Sequence, residues 1–167
     1  DGASAMKLVH ARGLQMAKAA QGTDTGMSAV LGGEREDVIQ SLTALGLTAA
    51  NENGGGQIVA AGNLDALATL APEGARVRPL AVAGAFHTNF MKPAVAHIEK
   101  YSHSLKVADP NCALISNKDG ATISSGQEFL NRIVNQVANP VRWDLCMVSL
   151  RELGITGVIE LPPAGTL

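Results

Sequence analysis

Val82-Ala83-Gly84-Ala85-Phe86-His87-Thr88-Asn89-Phe90-Met91-Lys92-Pro93-Ala94 is the stretch around which the rest of the chain is organised. The apolar run Leu80 to Ala85 reads as the end of a strand arriving in a buried place. Gly84 and its small neighbours allow a tight turn. Asn89 stands where an N-cap belongs, and Phe90, Met91, Val95 and Ile98 form the apolar stripe of a helix. Strand, turn and helix in that order belong to an α/β fold, which places working groups at the carboxyl ends of strands. His87 occupies the junction. Two readings are open at this point: a reacting imidazole, or a histidine that caps or packs.

Upstream, residues 27–82 spell β-α-β-β-α-β. Met27 to Leu31 is a short apolar strand closed by Gly32-Gly33. Glu34 to Leu45 is amphipathic, with Val38, Leu42 and Leu45 at i, i+4, i+7, and Gly46 in the C′ place. Leu47 to Ala50 and Gln57 to Ala61 are strands flanking a loop, Asn51 to Gly56, whose residues tolerate positive φ. Asn63 caps a helix through Leu64, Leu67 and Leu70, and Arg76 to Val82 is the last strand. This order is the ferredoxin-like signature. It predicts a small α+β subdomain over 27–82 inserted in a larger α/β domain formed by 1–26 and 83–167.

The larger part opens with a helix, Ala5 to Ala20, with apolar positions Met6, Val9, Leu14 and Met16. Gly13 interrupts it beside Arg12 and suits a close approach. Downstream, Phe90 to Leu105 is a helix, Ala113 to Ser116 a strand and Glu128 to Val137 a helix. Pro140 is predicted at N1 of a further helix capped by Asn139, and Ile155 to Leu161 is a β-rich run. Strands separated by helices outside the insert predict a parallel sheet.

Composition excludes several classes. The net charge of −2 lacks the clustered cations that nucleic acid requires. Hydrophobic residues make up 46% but aromatics only 3%, so the core is built from aliphatic side chains. Cys112 and Cys146 show no metal spacing and fit reduced, buried thiols of a cytoplasmic protein. No apolar run reaches membrane-spanning length and no signal segment is visible. His10, His97 and His103 show no ligand spacing, so no metal is expected.

No nucleophile stands out. Gly26-Met27-Ser28-Ala29-Val30 lacks the second glycine of a serine elbow, and no other serine has that context. Asn53-Gly54-Gly55-Gly56-Gln57 lacks the G-K-[ST] ending of a phosphate loop and opens a strand. The chain opens at Asp1 directly into a helical pattern and ends on Leu161-Pro162-Pro163-Ala164-Gly165-Thr166-Leu167, a loop where another helix is due. Both ends read as those of a portion of a longer chain.

Five stretches, in order, carry a resemblance. Gly84-Ala85-Phe86-His87-Thr88, followed by Met91 and Pro93-Ala94, resembles the active-site histidine segment of malonyl-CoA:acyl-carrier-protein transacylases. Arg12-Gly13-Leu14-Gln15-Met16 is similar to that family's arginine helix. Asn51 to Gly62, with Asn53, resembles its insert loop and strand. Gln136-Val137-Ala138-Asn139-Pro140-Val141-Arg142-Trp143 resembles its glutamine segment. Glu160 to Leu167 resembles its end, with Pro162-Pro163-Ala164 where Gly-Pro-Gly is usual. The match runs essentially the whole chain.

The resemblance implies a portion of an acyl-hydrolase-like α/β domain and a two-step acyl transfer in fatty-acid synthesis. A serine takes malonyl from coenzyme A and passes it to acyl carrier protein. His87 is implied as base and then acid, with the backbone carbonyl of Gln136 fixing its tautomer. Arg12 is implied to pair with the free malonyl carboxylate, Phe86 to crowd an α-methyl group, and Asn53 to lie near the same cleft. No cofactor is implied beyond the coenzyme A thioester, and the intact protein is expected as a monomer. The family's nucleophile elbow lies upstream of the arginine helix and is not in this sequence, so this chain alone is expected to be inactive. A synthase acyltransferase domain and a non-catalytic carrier-docking fragment are the alternatives. Arg76, Arg78 and Lys92 offer the latter a basic contact.

Overall fold

The computed structural model describes residues 1–161. The first helix, α1 (Gly2–Ala20), starts at Asp1, whose carboxylate accepts from the Ser4 amide at 2.8 Å. Then follow β1 (Thr25–Gly32), α2 (Arg35–Ala44), β2 (Thr48–Gly54), β3 (Gln57–Asn63), α3 (Leu64–Thr69) and β4 (Ala75–Pro79). A 3₁₀ turn, Asn89–Met91, leads into α4 (Lys92–Ser102). Next come β5 (Leu114–Ile115), β6 (Thr122–Ile123), α5 (Gly126–Gln136), β7 (Val141–Arg142) and α6 (Trp143–Glu152).

The main sheet has the order β4-β1-β3-β2-β7. Pairings among β1 to β4 are antiparallel; β7 adds to β2 in parallel. Strand β1 is buried from Thr25 to Val30 because both faces of the sheet are covered. Val30, Ile58 and Ala60 pack against Val38 and Leu42 of α2 and Leu67 of α3. On the opposite face Met27, Val59 and Ala61 meet Ala85 and Phe86. That second face carries the site. A separate core joins α1, α4 and α5 through Met16, Met91, Ile98, Leu130 and Val134.

Several boundaries differ from the expectation, each for a tertiary reason. Leu80 to Ala85 is not strand. Pairing with β1 ends at Pro79, and Leu80 and Val82 are exposed in an irregular connection. Thr88, not Asn89, caps the next helical segment, its hydroxyl accepting from Phe90 N at 3.2 Å. Asn63 stands at the start of α3 without a side-chain bond to it. Strand β2 extends through Asn51, Glu52 and Asn53, because two irregularities in register let it stay paired with β3. Only Gly55 and Gly56 make the turn, and they and Gly54 at the strand end are all at positive φ.

Pro140 starts no helix. Asn139 instead donates to Asn135 O at 2.7 Å at the end of α5, and Val141–Arg142 pair with β2. The helix begins at Trp143. Leu45 is exposed, whereas Leu47 two residues on joins the core. Cys112, expected buried, is exposed in an irregular connection outside any core, and Cys146 alone is a buried thiol. Met6, Val9 and Leu14 are exposed on α1, whereas Leu8, Met16 and Ala20 are buried. A Cβ at Gly13 would meet nothing within 4 Å, so no close approach explains that glycine. Residues 155–161 form no strand; Val158, Ile159 and Leu161 are exposed, and no sheet edge among the described residues receives them. The expected parallel sheet is limited, among the described residues, to the β2–β7 pair. Pro162 to Leu167 lie outside the described residues.

Gly84 locks the histidine turn against the end of α1. A Cβ built there would stand 2.8 Å from the Ala20 Cβ and 3.3 Å from Thr25 Oγ1. Gly84→Ala is expected to destabilise by about 1–3 kcal/mol through overpacking. A urea unfolding curve with an unchanged midpoint would refute the fit.

Candidate active site

His87 reaches the site by an unusual backbone. Its φ is 60°, the left-handed region, and it is the one non-glycine residue described there. Such a conformation costs on the order of 1 kcal/mol and persists where neighbours over-determine it. The neighbours here are specific. Thr88 Oγ1 donates to Ala85 O at 2.6 Å, Ala85 N donates to Thr25 Oγ1 at 3.2 Å, and Phe86 N donates to Gly84 O at 3.0 Å. The turn is therefore tied to β1 and to itself, and the ring is turned toward α5.

Gln136 is the last residue of α5. Its carbonyl, at the helix C-terminus, lacks an i+4 helical donor and carries the negative end of the helix dipole. It lies 3.1 Å from His87 Nδ1. The side chain of Gln136 also faces the ring, with Nε2 3.0 Å from the same Nδ1. Its Oε1 accepts from Arg12 Nη2 at 2.8 Å. Arg12 thus arrives from α1, Gln136 from α5 and His87 from the β4–α4 connection.

Burial works on both cations. His87 is pushed below its ordinary 6.5, first by desolvation and then by the charge of Arg12, against the Gln136 carbonyl, which raises it. Arg12 is lowered by desolvation but stays charged at any working pH.

These groups line one cleft of about 470 Å³ with Phe86, Asn53, Asn51, Asn117, Trp143, Met27, Val59, Leu80 and Val141. All five residues singled out from the sequence, Arg12, Asn53, Phe86, His87 and Gln136, reach it. Asn53 is held by Gln57, whose Oε1 accepts from Asn53 Nδ2 at 3.2 Å. Asn117, Asn51 and Trp143 were not anticipated. Asn117 lies in a turn whose carbonyl accepts from Arg142 N at 2.7 Å, a contact no local pattern signals. Asn51 opens the predicted loop, and Trp143 falls within the helix predicted from Pro140, so neither is marked as a site residue. The side-chain role of Gln136 was also missed.

The cleft sets a half-buried guanidinium near an imidazole held below its ordinary pKa, among amide side chains and aromatic walls, an arrangement able to take a group with a free carboxylate. Its lining residues include no serine or cysteine. Among the described residues no cluster of three His, Cys, Asp or Glu could hold a metal. No described helix is long and apolar enough to cross a membrane.

The direction of the histidine shift is testable. The folded value lies below the unfolded one, so His87 contributes stability above pH 6.5 that is lost as the pH falls through the folded value. An NMR titration of the His87 ring is expected to give a midpoint below 6.5; a midpoint at or above it contradicts the burial.

No family model matches the chain. It is 49% identical over 166 residues to the malonyl CoA-acyl carrier protein transacylase of Mycobacterium tuberculosis, and 46% identical over 170 residues to that of Mycolicibacterium smegmatis. In both cases 98% of the chain is covered, but only 55% and 59% of the relative. The chain therefore spans little more than half the length of the curated relatives it matches. The crystal structure of MCAT from Mycobacterium tuberculosis superposes with a TM-score of 0.93, covering 98% of this chain and 55% of that one, at 49% identity. An acyl-carrier-protein S-malonyltransferase from Burkholderia pseudomallei gives 0.84 at 30% identity, covering 91% and 52%.

Proposed function

We propose, from the 46–49% identity over 98% of this chain to malonyl CoA-acyl carrier protein transacylases, that it belongs to that family and that its cleft serves malonyl transfer from coenzyme A to acyl carrier protein in fatty-acid synthesis. The observation that carries this reading is the convergence of Arg12, Gln136 and His87 on one another across three elements. The reaction is acyl transfer through a serine ester. The serine comes from the part of the enzyme this chain does not span.

In the productive state His87 holds a proton on Nδ1 and donates it to the Gln136 carbonyl. Nε2 then carries the lone pair. As the serine oxygen attacks the thioester carbonyl, its proton passes to Nε2. The C–S bond breaks, and the imidazolium returns that proton to the departing coenzyme A thiolate. The second half repeats these steps in reverse, with the phosphopantetheine thiol of the carrier as acceptor. A lowered histidine pKa keeps the ring neutral and able to accept. Gln136 does here with a main-chain oxygen what a carboxylate does in a Ser-His-Asp triad.

Arg12 selects the acyl group. A planar fork on a short approach fits the free carboxylate bidentately, and its burial strengthens the contact. Phe86 lines the wall where an α-substituent would project, and Asn53 borders the same space. The proposed enzyme is a cytoplasmic monomer that needs no cofactor beyond its thioester substrate.

In the complete enzyme, Arg12→Ala is expected to lower kcat/KM for malonyl-CoA by roughly 10- to 100-fold, the ~1.5–3 kcal/mol of a charge-assisted contact, with little effect on acetyl-CoA. Equal losses on both substrates would remove the carboxylate role. The 167-residue chain by itself is expected to gain no malonyl adduct on incubation with malonyl-CoA, because its cleft lining holds no serine or cysteine. An adduct seen by intact mass would contradict this.

A further inference from the structure

Two contacts at His87 Nδ1 exclude each other. The nitrogen lies 3.1 Å from the Gln136 carbonyl oxygen, which only accepts. It also lies 3.0 Å from Gln136 Nε2, which only donates. The amide cannot be assigned the other way round. Arg12 Nη2 can only donate, so the atom 2.8 Å from it must be Oε1, and Nε2 is left facing the ring. A proton on Nδ1 would satisfy the carbonyl and oppose the amide N–H. A proton on Nε2 of the ring would satisfy the amide and leave the carbonyl to Asn139 N, which reaches it at 3.3 Å. With the cleft free, Arg12 therefore holds the amide in the orientation that favours the Nε2–H tautomer. That tautomer has no lone pair to offer a nucleophile.

We propose that the Gln136 side chain is a positioning group that reports carboxylate occupancy at Arg12 to His87, holding the ring in its unproductive tautomer until a malonyl carboxylate turns the amide over. This rests on the reading of Arg12 as the carboxylate site. A carboxylate lodged against the guanidinium repels the amide oxygen beside it and attracts the amide N–H. Rotating the amide by half a turn meets both demands. Nε2 of Gln136 then donates to the carboxylate, and Oε1 faces the ring. Two acceptors, Oε1 and the main-chain oxygen, now surround Nδ1, and the ring takes its proton there. The exchange is balanced through solvent: one proton leaves ring Nε2 for water, and one arrives from water at Nδ1. An acyl group without a second carboxylate turns nothing, so discrimination acts on the base as well as on binding. The distances set this apart from ordinary packing, since a glutamine present only to fill space would face neither Arg12 nor the ring within hydrogen-bond reach.

The test reads the tautomer directly. The chain is labelled with ¹⁵N-histidine and studied at a pH where the His87 ring is neutral. In the free chain the expected pattern is a pyridine-type Nδ1 and a pyrrole-type Nε2. Saturating malonic acid monoamide, which keeps one free carboxylate, is expected to interchange the two; acetamide is expected to leave them unchanged. Gln136→Met, which retains the main-chain carbonyl, is expected to show the Nδ1–H form with and without ligand, and Arg12→Ala to show it without ligand. A wild-type ring already in the Nδ1–H form, or a Gln136→Met ring still in the Nε2–H form, would overturn the proposal. Arg12 side-chain resonances separate the two levels. Binding at Arg12 with an unmoved ring overturns the relay and spares the carboxylate site; absence of binding overturns both.

Discussion

A helix that stops inside a protein leaves its last carbonyl oxygens without their i+4 helical donors, and the cleft is arranged around one of them. Helix α5 ends at Gln136, and the oxygen exposed there lies against the imidazole of His87. No carboxylate among the described residues takes that position. The consequence is chemical. A neutral acceptor orients the ring without adding a full negative charge, while burial and the nearby guanidinium keep the ring from charging. Bringing the ring to that oxygen requires a left-handed residue at position 87, and the strain is borne by the Thr88–Ala85 and Ala85–Thr25 bonds. Those bonds work because Gly84 lets the turn lie against Ala20 at the end of α1, the helix that carries Arg12. One terminus thus links the base, the cation and the packing between them.

The sheet performs a second task. Its helix-covered face is ordinary core, with Val30, Val38, Leu42, Ile58 and Leu67. Its other face supplies Met27 and Val59 to the cleft wall, together with Asn51 and Asn53 from β2. Two irregularities of register in β2 accompany this. Glu52 of β2 meets Arg35 of α2 at 2.7 Å and Arg142 of β7 at 3.6 Å, which ties β7 to β2 beside the cleft.

Much of the element order was legible because it is local. The stripe Val38 and Leu42, the C′ glycine at Gly46 and the stripe Met91 and Ile98 are periodic features that neighbouring residues decide. What escaped is long-range. Pro140 carries every mark of a helix start, yet Val141 finds a strand, because β2 offers an edge at Asn51, far earlier in the chain. Leu80 to Ala85 is apolar enough for a strand, but β4 leaves its ladder at Pro79. At the cleft, His87, Arg12 and Gln136 were legible through motif resemblance, which carries residue types and not geometry. The left-handed backbone of His87 has no signal in the sequence, since glycine does not stand there. The bond from Arg12 to the Gln136 side chain spans 124 positions and has no local precursor. Asn117 enters for the same reason, placed by a backbone bond to Arg142.

The central claim is that this cleft recognises a free acyl carboxylate beside a neutral imidazole. A crystal structure of the chain soaked with malonic acid monoamide tests it most directly. The account predicts the carboxylate within hydrogen-bond distance of the Arg12 guanidinium and the amide end of the ligand toward His87 Nε2. A ligand bound at another cation, with Arg12 still seated on Gln136 and the cleft beside His87 unchanged, would contradict it.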